Sequence, residues 1–129
     1  MLVKRVNDQN FGDLGVVEFA NLPFVCRRIY WITNFVKGSA RGHHAHKSLT
    51  QFMIVLRGSV SFTLFRGDSR EEITLSARED GIIIAPGTWR TFSSDTSDTV
   101  LMVCCDQNFT ESDYLRNWAE YQNWYKENL

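Results

Sequence analysis

The sequence predicts an all-β domain, a sandwich or barrel of short strands followed by one C-terminal helix, and three observations carry that prediction. Short apolar runs recur at even spacing from Val3 to Cys105, each bounded by Gly, Pro, Asn, Asp or Ser, which is the pattern of packed antiparallel sheets and not of a βαβ array. Beyond Cys105 the period changes: Leu115, Trp118, Tyr121 and Tyr125 fall at helical spacing. At 129 residues, 43% of them apolar, the chain has the size and composition of one domain with its own core.

In order, Val3 to Phe19 reads as two short strands split by Asn7-Asp8-Gln9-Asn10 and Gly12-Asp13. Asn21-Leu22-Pro23 breaks the pattern, and Phe24 to Thr33 is a long strand candidate. Its alternation sets Arg28, Tyr30 and Ile32 on one face and Arg27, Ile29, Trp31 and Thr33 on the other. An arginine and a tyrosine on an inward face need partners, so that face is expected to meet a ligand. After the loop at Lys37-Gly38-Ser39-Ala40 come a histidine-rich segment and strands over Leu49–Leu56, Ser59–Phe65, Glu71–Leu75 and Gly81–Ala85. Pro86-Gly87 turns into a strand carrying Trp89 and Arg90, and Thr99–Cys105 is the last strand. Thr110-Glu111-Ser112-Asp113 supplies hydroxyls and acids suited to a helix start, so the helix is expected over 111–126, with strands over 3–105 and a single domain over 1–129.

Lys+Arg 14 against Asp+Glu 15 leaves a net charge of -1, which offers no broad basic surface for nucleic acid or a membrane. An anionic ligand must be held by a few local arginines. Met1 to Asp8 lacks the apolar core of a signal peptide, and no apolar run is long enough to span a bilayer, so a cytoplasmic protein is expected. Cys26, Cys104 and Cys105 are odd in number and sit among apolar residues, which suits reduced thiols used as small hydrophobes.

All three histidines lie in Arg41-Gly42-His43-His44-Ala45-His46-Lys47. His44 and His46 are two apart, so in a strand both rings point to one face and Lys47 to the other, towards solvent. Such a pair suits a metal or a proton.

Gly42-x-His44-x-His46, then Gln51 and Gly58, resembles the first motif of the cupins, and Gly81 to Arg90 with its Pro86-Gly87 resembles the second. The resemblance implies a cupin double-stranded β-helix, a jelly-roll barrel, with a short C-terminal helix. The cupin carboxylate position holds Gln51, and the histidine expected after Pro86-Gly87 is absent. Two imidazoles and an amide make a poor divalent site, so no metal and no other cofactor is expected. Arg28-Ile29-Tyr30, the Arg41 to Lys47 string, Gln51, Pro86-x-x-Trp89 and Glu111-Ser112-Asp113-Tyr114-Leu115-Arg116 resemble one branch more closely, the WxcM-like sugar 3,4-ketoisomerases.

That resemblance covers nearly the whole chain. It implies conversion of dTDP-4-keto-6-deoxyglucose into a 3-keto-6-deoxyhexose, on the way to dTDP-linked 3-amino sugars of lipopolysaccharide O-antigens or S-layer glycans. In a 4-keto sugar the hydrogen on carbon 3 is acidified by the carbonyl, and imidazole serves as both base and acid through an enediol(ate). By resemblance His46 is the base at carbon 3 that reprotonates carbon 4, and His44 is its partner at the oxygens. Tyr30 is placed at the developing enolate oxygen, and Gln51 orients an imidazole or the sugar. Arg28, Arg41 and Arg90 are the candidates for the diphosphate, and Trp89 or Trp31 for stacking on thymine. Sheet edges of a small jelly roll are commonly covered by a second copy, so a homodimer is expected, with the N-terminal strand and the aromatic helix at its interface. The alternatives are a dTDP-sugar epimerase on the same fold, a metal-dependent cupin oxygenase or isomerase, and a non-catalytic sugar-nucleotide-binding cupin.

Overall fold

A computed structural model of the chain describes residues Met1 to Leu129. Eleven strands form three sheets: β1 (Val3–Asp8), β2 (Gly12–Val17), β3 (Arg28–Ile32), β4 (Arg41–His46), β5 (Gln51–Arg57), β6 (Ser59–Arg66), β7 (Ser69–Ser76), β8 (Ile82–Ile84), β9 (Trp89–Ser93), β10 (Val100–Cys105) and β11 (Tyr114–Leu115). One helix, α1 (Trp118–Asn128), ends the chain. The order β3-β10-β5-β8 makes one wall of a sandwich and β11-β4-β9-β6-β7 the other, while β1 and β2 pair as a separate hairpin. This is the jelly roll that the motif resemblance implies.

The main core lies between the two walls. Met53, Val55, Leu101, Val103, Cys105 and Ile84 from one sheet meet Val60, Phe62, Leu75 and Phe92 from the other. The run Phe52 to Val55 is apolar at every position because both of its faces are covered: Phe52 and Ile54 point outward, beneath Val3 of β1 and Leu22. The hairpin is held there by the Asp80 carboxylate, which accepts from the backbone N–H of Leu2 at 2.9 Å and of Val3 at 2.8 Å. Gly58, with φ of +79°, makes the β5–β6 turn, where any Cβ would run into the Thr99 hydroxyl.

Two boundaries differ from the sequence expectation by more than two residues. The strand expected over Phe24–Thr33 is regular only over Arg28–Ile32, but its alternation holds: Arg28, Tyr30 and Ile32 are half-buried, and Ile29, Trp31 and Thr33 exposed. The helix starts at Trp118, not at 111. Asn117 is its cap, accepting from the Glu120 backbone N–H at 3.0 Å. Glu111–Asp113 is a single 3-10 turn, and Leu115, which shares the helical stripe in the sequence, sits in β11. It reaches the same small core as the helix, where Ala45, Trp89 and Leu115 pack under Tyr121.

Candidate active site

Side chains of both walls meet at one cavity of about 560 Å³, lined by Arg28, Tyr30, Trp31, Ile32, Arg41, Gly42, His43, His44, Arg90, Phe92, Tyr114 and Arg116. The pairing of strands puts them there. On one wall Arg28, Cys105 and Gln51 stand side by side across β3, β10 and β5, with Tyr30 two residues along. On the other, Tyr114 is opposite His46 across β11 and β4, and His44 is opposite Arg90 across β4 and β9.

The histidine strand enters through a bulge. The register shifts between Gly42 and His44, with φ of +93° at Gly42 and +56° at His43. A Cβ on Gly42 would stand 2.7 Å from the Arg90 carbonyl oxygen, so this close approach needs glycine. Past the bulge the strand alternates: His43 is exposed, while the rings of His44 and His46 face the same way, centroids 4.9 Å apart at 83°. The Tyr114 ring packs on both, at 4.9 Å and 4.3 Å.

The two rings are held differently. His44 Nδ1 lies 3.0 Å from the Gly42 carbonyl oxygen, which only accepts, so Nδ1 carries the proton and Nε2 the lone pair. His46 is 1% exposed, and its Nδ1 donates to Asp113 Oδ2 at 3.2 Å. Asp113 is itself pinned: its carboxylate accepts from the Ser48 N–H at 2.9 Å, the Ser48 hydroxyl at 2.7 Å and the Leu49 N–H at 3.2 Å. Burial, and next the Arg90 charge, lowers the His44 pKa to about 4. His46 is lowered further, by burial, Arg90 and His44 in that order. The Asp113 carboxylate pulls the other way, but burial and the Arg90 charge outweigh it, and both rings are neutral at pH 7.

Beneath the cavity runs a buried polar chain. Arg90 Nη1 donates to Gln51 Oε1 at 2.5 Å, and its Nε and Nη2 donate to the Thr88 carbonyl. Gln51 Nε2 donates to Tyr30 Oη at 3.1 Å and to Cys105 Sγ at 3.5 Å. Arg28 Nη2 also reaches Cys105 Sγ, at 3.6 Å, while its Nε is buried without a partner. Arg90 is 1% exposed and makes no ion pair. Burial lowers its pKa only to about 10, so it remains a cation. Burial likewise raises the Tyr30 phenol and the Cys105 thiol above their usual values.

Of the residues expected at the site from sequence, His44, Tyr30, Arg28, Arg41 and Arg90 line the cavity, and His46 and Gln51 lie directly behind it. Two expectations need correction. Arg90 is no fork for a diphosphate, because its guanidinium is buried and committed to Gln51 and Thr88. Trp89, its neighbour on the strand, points to the opposite face, 7% exposed and packed against Trp118 at 5.2 Å and Tyr121 at 5.5 Å. Trp31, 67% exposed on the cavity wall, is the indole open to a ligand. Asp113, Tyr114 and Arg116 are site residues the sequence reading missed. They fall in the Glu111 to Arg116 string, which reads as a helix start in the sequence; the structure sets Tyr114 on β11 beside β4, with Asp113 just before it and Arg116 just after. Arg116 stacks over the Tyr114 ring at 4.0 Å and is held by Glu111 at 2.8 Å and 2.9 Å.

The chain matches the family model described as FdtA, WxcM-like, C-terminal, over residues 1–126. The TDP-4-oxo-6-deoxy-alpha-D-glucose-3,4-oxoisomerase of Aneurinibacillus thermoaerophilus is 31% identical over 121 residues, which are 94% of this chain and 87% of that protein. The crystal structure of QdtA, a sugar 3,4-ketoisomerase from Thermoanaerobacterium thermosaccharolyticum in complex with TDP, superposes with a TM-score of 0.92 at 34% identity, covering 98% of this chain and 93% of that one. A His-to-Asn variant of QdtA, in complex with TDP-4-keto-6-deoxyglucose, superposes equally well, with a TM-score of 0.92 at 34% identity over 98% of this chain and 92% of that one.

Proposed function

The chain belongs to the FdtA family of WxcM-like, C-terminal proteins, and we propose that it isomerises TDP-4-keto-6-deoxyglucose to the 3-keto sugar by metal-independent proton transfer. It is an isomerase of TDP-linked sugars. The observation that carries the mechanism is the His44 ring, neutral, on the cavity wall, with Nδ1 tied to Gly42 so that the basic Nε2 is its free end.

Carbon 3 loses a proton and carbon 4 gains one, while oxygen 3 loses its hydroxyl proton and oxygen 4 gains one, with no net redox change. His44 takes the carbon 3 proton and, once its ring N–H has exchanged with solvent, protonates carbon 4 of the enediol(ate). His46, steadied by Asp113, serves the oxygens. This order is the reverse of the one the sequence resemblance implied, and it rests on His44 lining the cavity while His46, its ring 4.9 Å away, is 1% exposed. Tyr30 donates a hydrogen bond to the oxygen that gains negative charge, and the Arg90 cation beneath stabilises that charge in a poorly solvated setting. Arg41 and Arg116, exposed at the mouth, hold the diphosphate, with Arg28 inside, and Trp31 stacks on the thymine.

No metal takes part in this scheme. Gln51 stands where the cupin pattern has its carboxylate and is committed to Arg90, Tyr30 and Cys105, and the Arg90 charge beside both rings opposes a divalent cation. On the same reading the enzyme is cytoplasmic and homodimeric; no helix is long and apolar enough to cross a membrane. The hairpin with Val6, Phe11 and Leu14, and edge strand β3 with Ile29, expose apolar side chains that a second copy would cover. Sedimentation at micromolar concentration checks this, with a dimer expected.

Chelated, purified protein incubated with TDP-4-keto-6-deoxyglucose tests the function. The ketone signal is expected to move from carbon 4 to carbon 3. Inversion at carbon 3 or 5 with the ketone left at carbon 4 would make it an epimerase, and binding without turnover a sugar-nucleotide-binding module.

A further inference from the structure

The direction of every hydrogen bond in the buried chain follows from Arg90. A guanidinium donates and never accepts, so the Gln51 atom facing Arg90 Nη1 is the amide oxygen. The amide nitrogen therefore faces the other way, where it donates to Tyr30 Oη at 3.1 Å and to Cys105 Sγ at 3.5 Å. The Tyr30 oxygen is an acceptor in this contact, and its own O–H has no acceptor in the protein, although Tyr30 lines the cavity. Arg28 closes the remaining route, since its Nη2 also donates to Cys105 Sγ. A buried arginine without a carboxylate is costly to retain for packing alone, and its place at the head of this chain gives it a use.

We propose that Arg90 and Gln51 are positioning residues for Tyr30, a one-way donor chain that keeps the phenolic proton turned into the cavity and onto a substrate oxygen. Neither residue needs to touch the substrate. Glutamine is required and glutamate is not equivalent, because only the amide both accepts from Arg90 and donates to Tyr30. A carboxylate at position 51 would keep Arg90 and reverse the second bond, accepting the Tyr30 proton and drawing it out of the cavity. The proposal rests on the ketoisomerase reading of the site.

Tyr30→Phe, Gln51→Glu and the double variant test it in the full chain with TDP-4-keto-6-deoxyglucose. Each single change is expected to lower kcat by about 10- to 100-fold, with KM within about threefold of wild type. The double variant is expected to be no slower than the slower single, because both remove one donated proton. Losses that multiply in the double variant, or a Gln51→Glu enzyme with unchanged kcat and a raised KM, would overturn the proposal. A second measurement stands whether or not Gln51→Glu folds: the Gln51 side-chain amide proton resonance is expected to move upfield in Tyr30→Phe, and an unmoved resonance would overturn the chain as drawn. If the wild type converts no substrate, the ketoisomerase reading fails, while the amide shift still reports on the donor chain.

Discussion

His46 Nδ1 sits 3.2 Å from Oδ2 of Asp113, a residue 67 positions further along the chain. The same carboxylate accepts from the backbone of Ser48 and Leu49, so the end of the histidine strand and the C-terminal segment are locked to one another. The contact fixes the His46 tautomer, with the proton on Nδ1 and the lone pair on Nε2. Asp113→Asn offers an amide in place of the carboxylate and relaxes that choice. It is expected to lower kcat by about 10- to 100-fold, with a KM near that of wild type. Steady-state kinetics beside a thermal melt separate this from loss of the Ser48 and Leu49 contacts, which appears as a lower Tm.

The lowered His44 pKa sets the acid side of the pH profile. Burial, then Arg90, holds it at about 4 against an ordinary 6.5. The base therefore stays unprotonated well below neutrality, and kcat/KM is expected to lose half its value near pH 4. Stability follows from the same difference. Between those two values the unfolded chain binds the proton and the folded one does not, so stability rises with pH across the window and is lost as pH falls through it. His44→Asn is expected to lessen the slope of the Tm profile between pH 4 and 6.5, His46 retaining the rest.

The two tryptophans separate packing from binding. Trp89→Ala empties the small core under Tyr121 and is expected to cost about 3–5 kcal/mol of stability, with KM unchanged in whatever folds. Trp31→Ala is expected to leave the melt alone and raise KM by about 2- to 10-fold. Chemical denaturation and substrate titration of both variants check the pair.

Gly42→Ala tests the bulge. At φ of +93° and 2.7 Å from the Arg90 carbonyl, a methyl group forces β4 away from β9. The expected result is a stability loss of about 1–3 kcal/mol and a larger fall in kcat than in Tm terms alone, because His44 and its Nδ1 acceptor move together.

The rings of His44 and His46 were legible because strand alternation survives beyond the bulge, and Arg28 and Tyr30 because their strand alternates in the same way. The jelly roll itself followed from strand spacing and two short motifs. Asp113, Tyr114 and Arg116 were not legible as site residues, since β11 has only two residues and carries no periodic signal. Leu115 deepens the difficulty: it packs with Tyr121 from a strand, yet mimics part of one helical stripe. Trp89 and Arg90 both read as ligand residues in the sequence because alternation separates two faces without saying which one is the cavity. The helix packed on the outer face decides it.

His44 removes the proton from carbon 3 and, after its ring N–H has exchanged with solvent, protonates carbon 4. A proton NMR time course of TDP-4-keto-6-deoxyglucose in deuterium oxide, with chelated wild type and with His44→Asn, tests it most directly. The expected result is a 3-keto product bearing deuterium at carbon 4, formed by the wild type and lost in the variant. A His44→Asn enzyme that still forms that product, or a wild type that exchanges or inverts carbon 3 while the ketone stays at carbon 4, would contradict it.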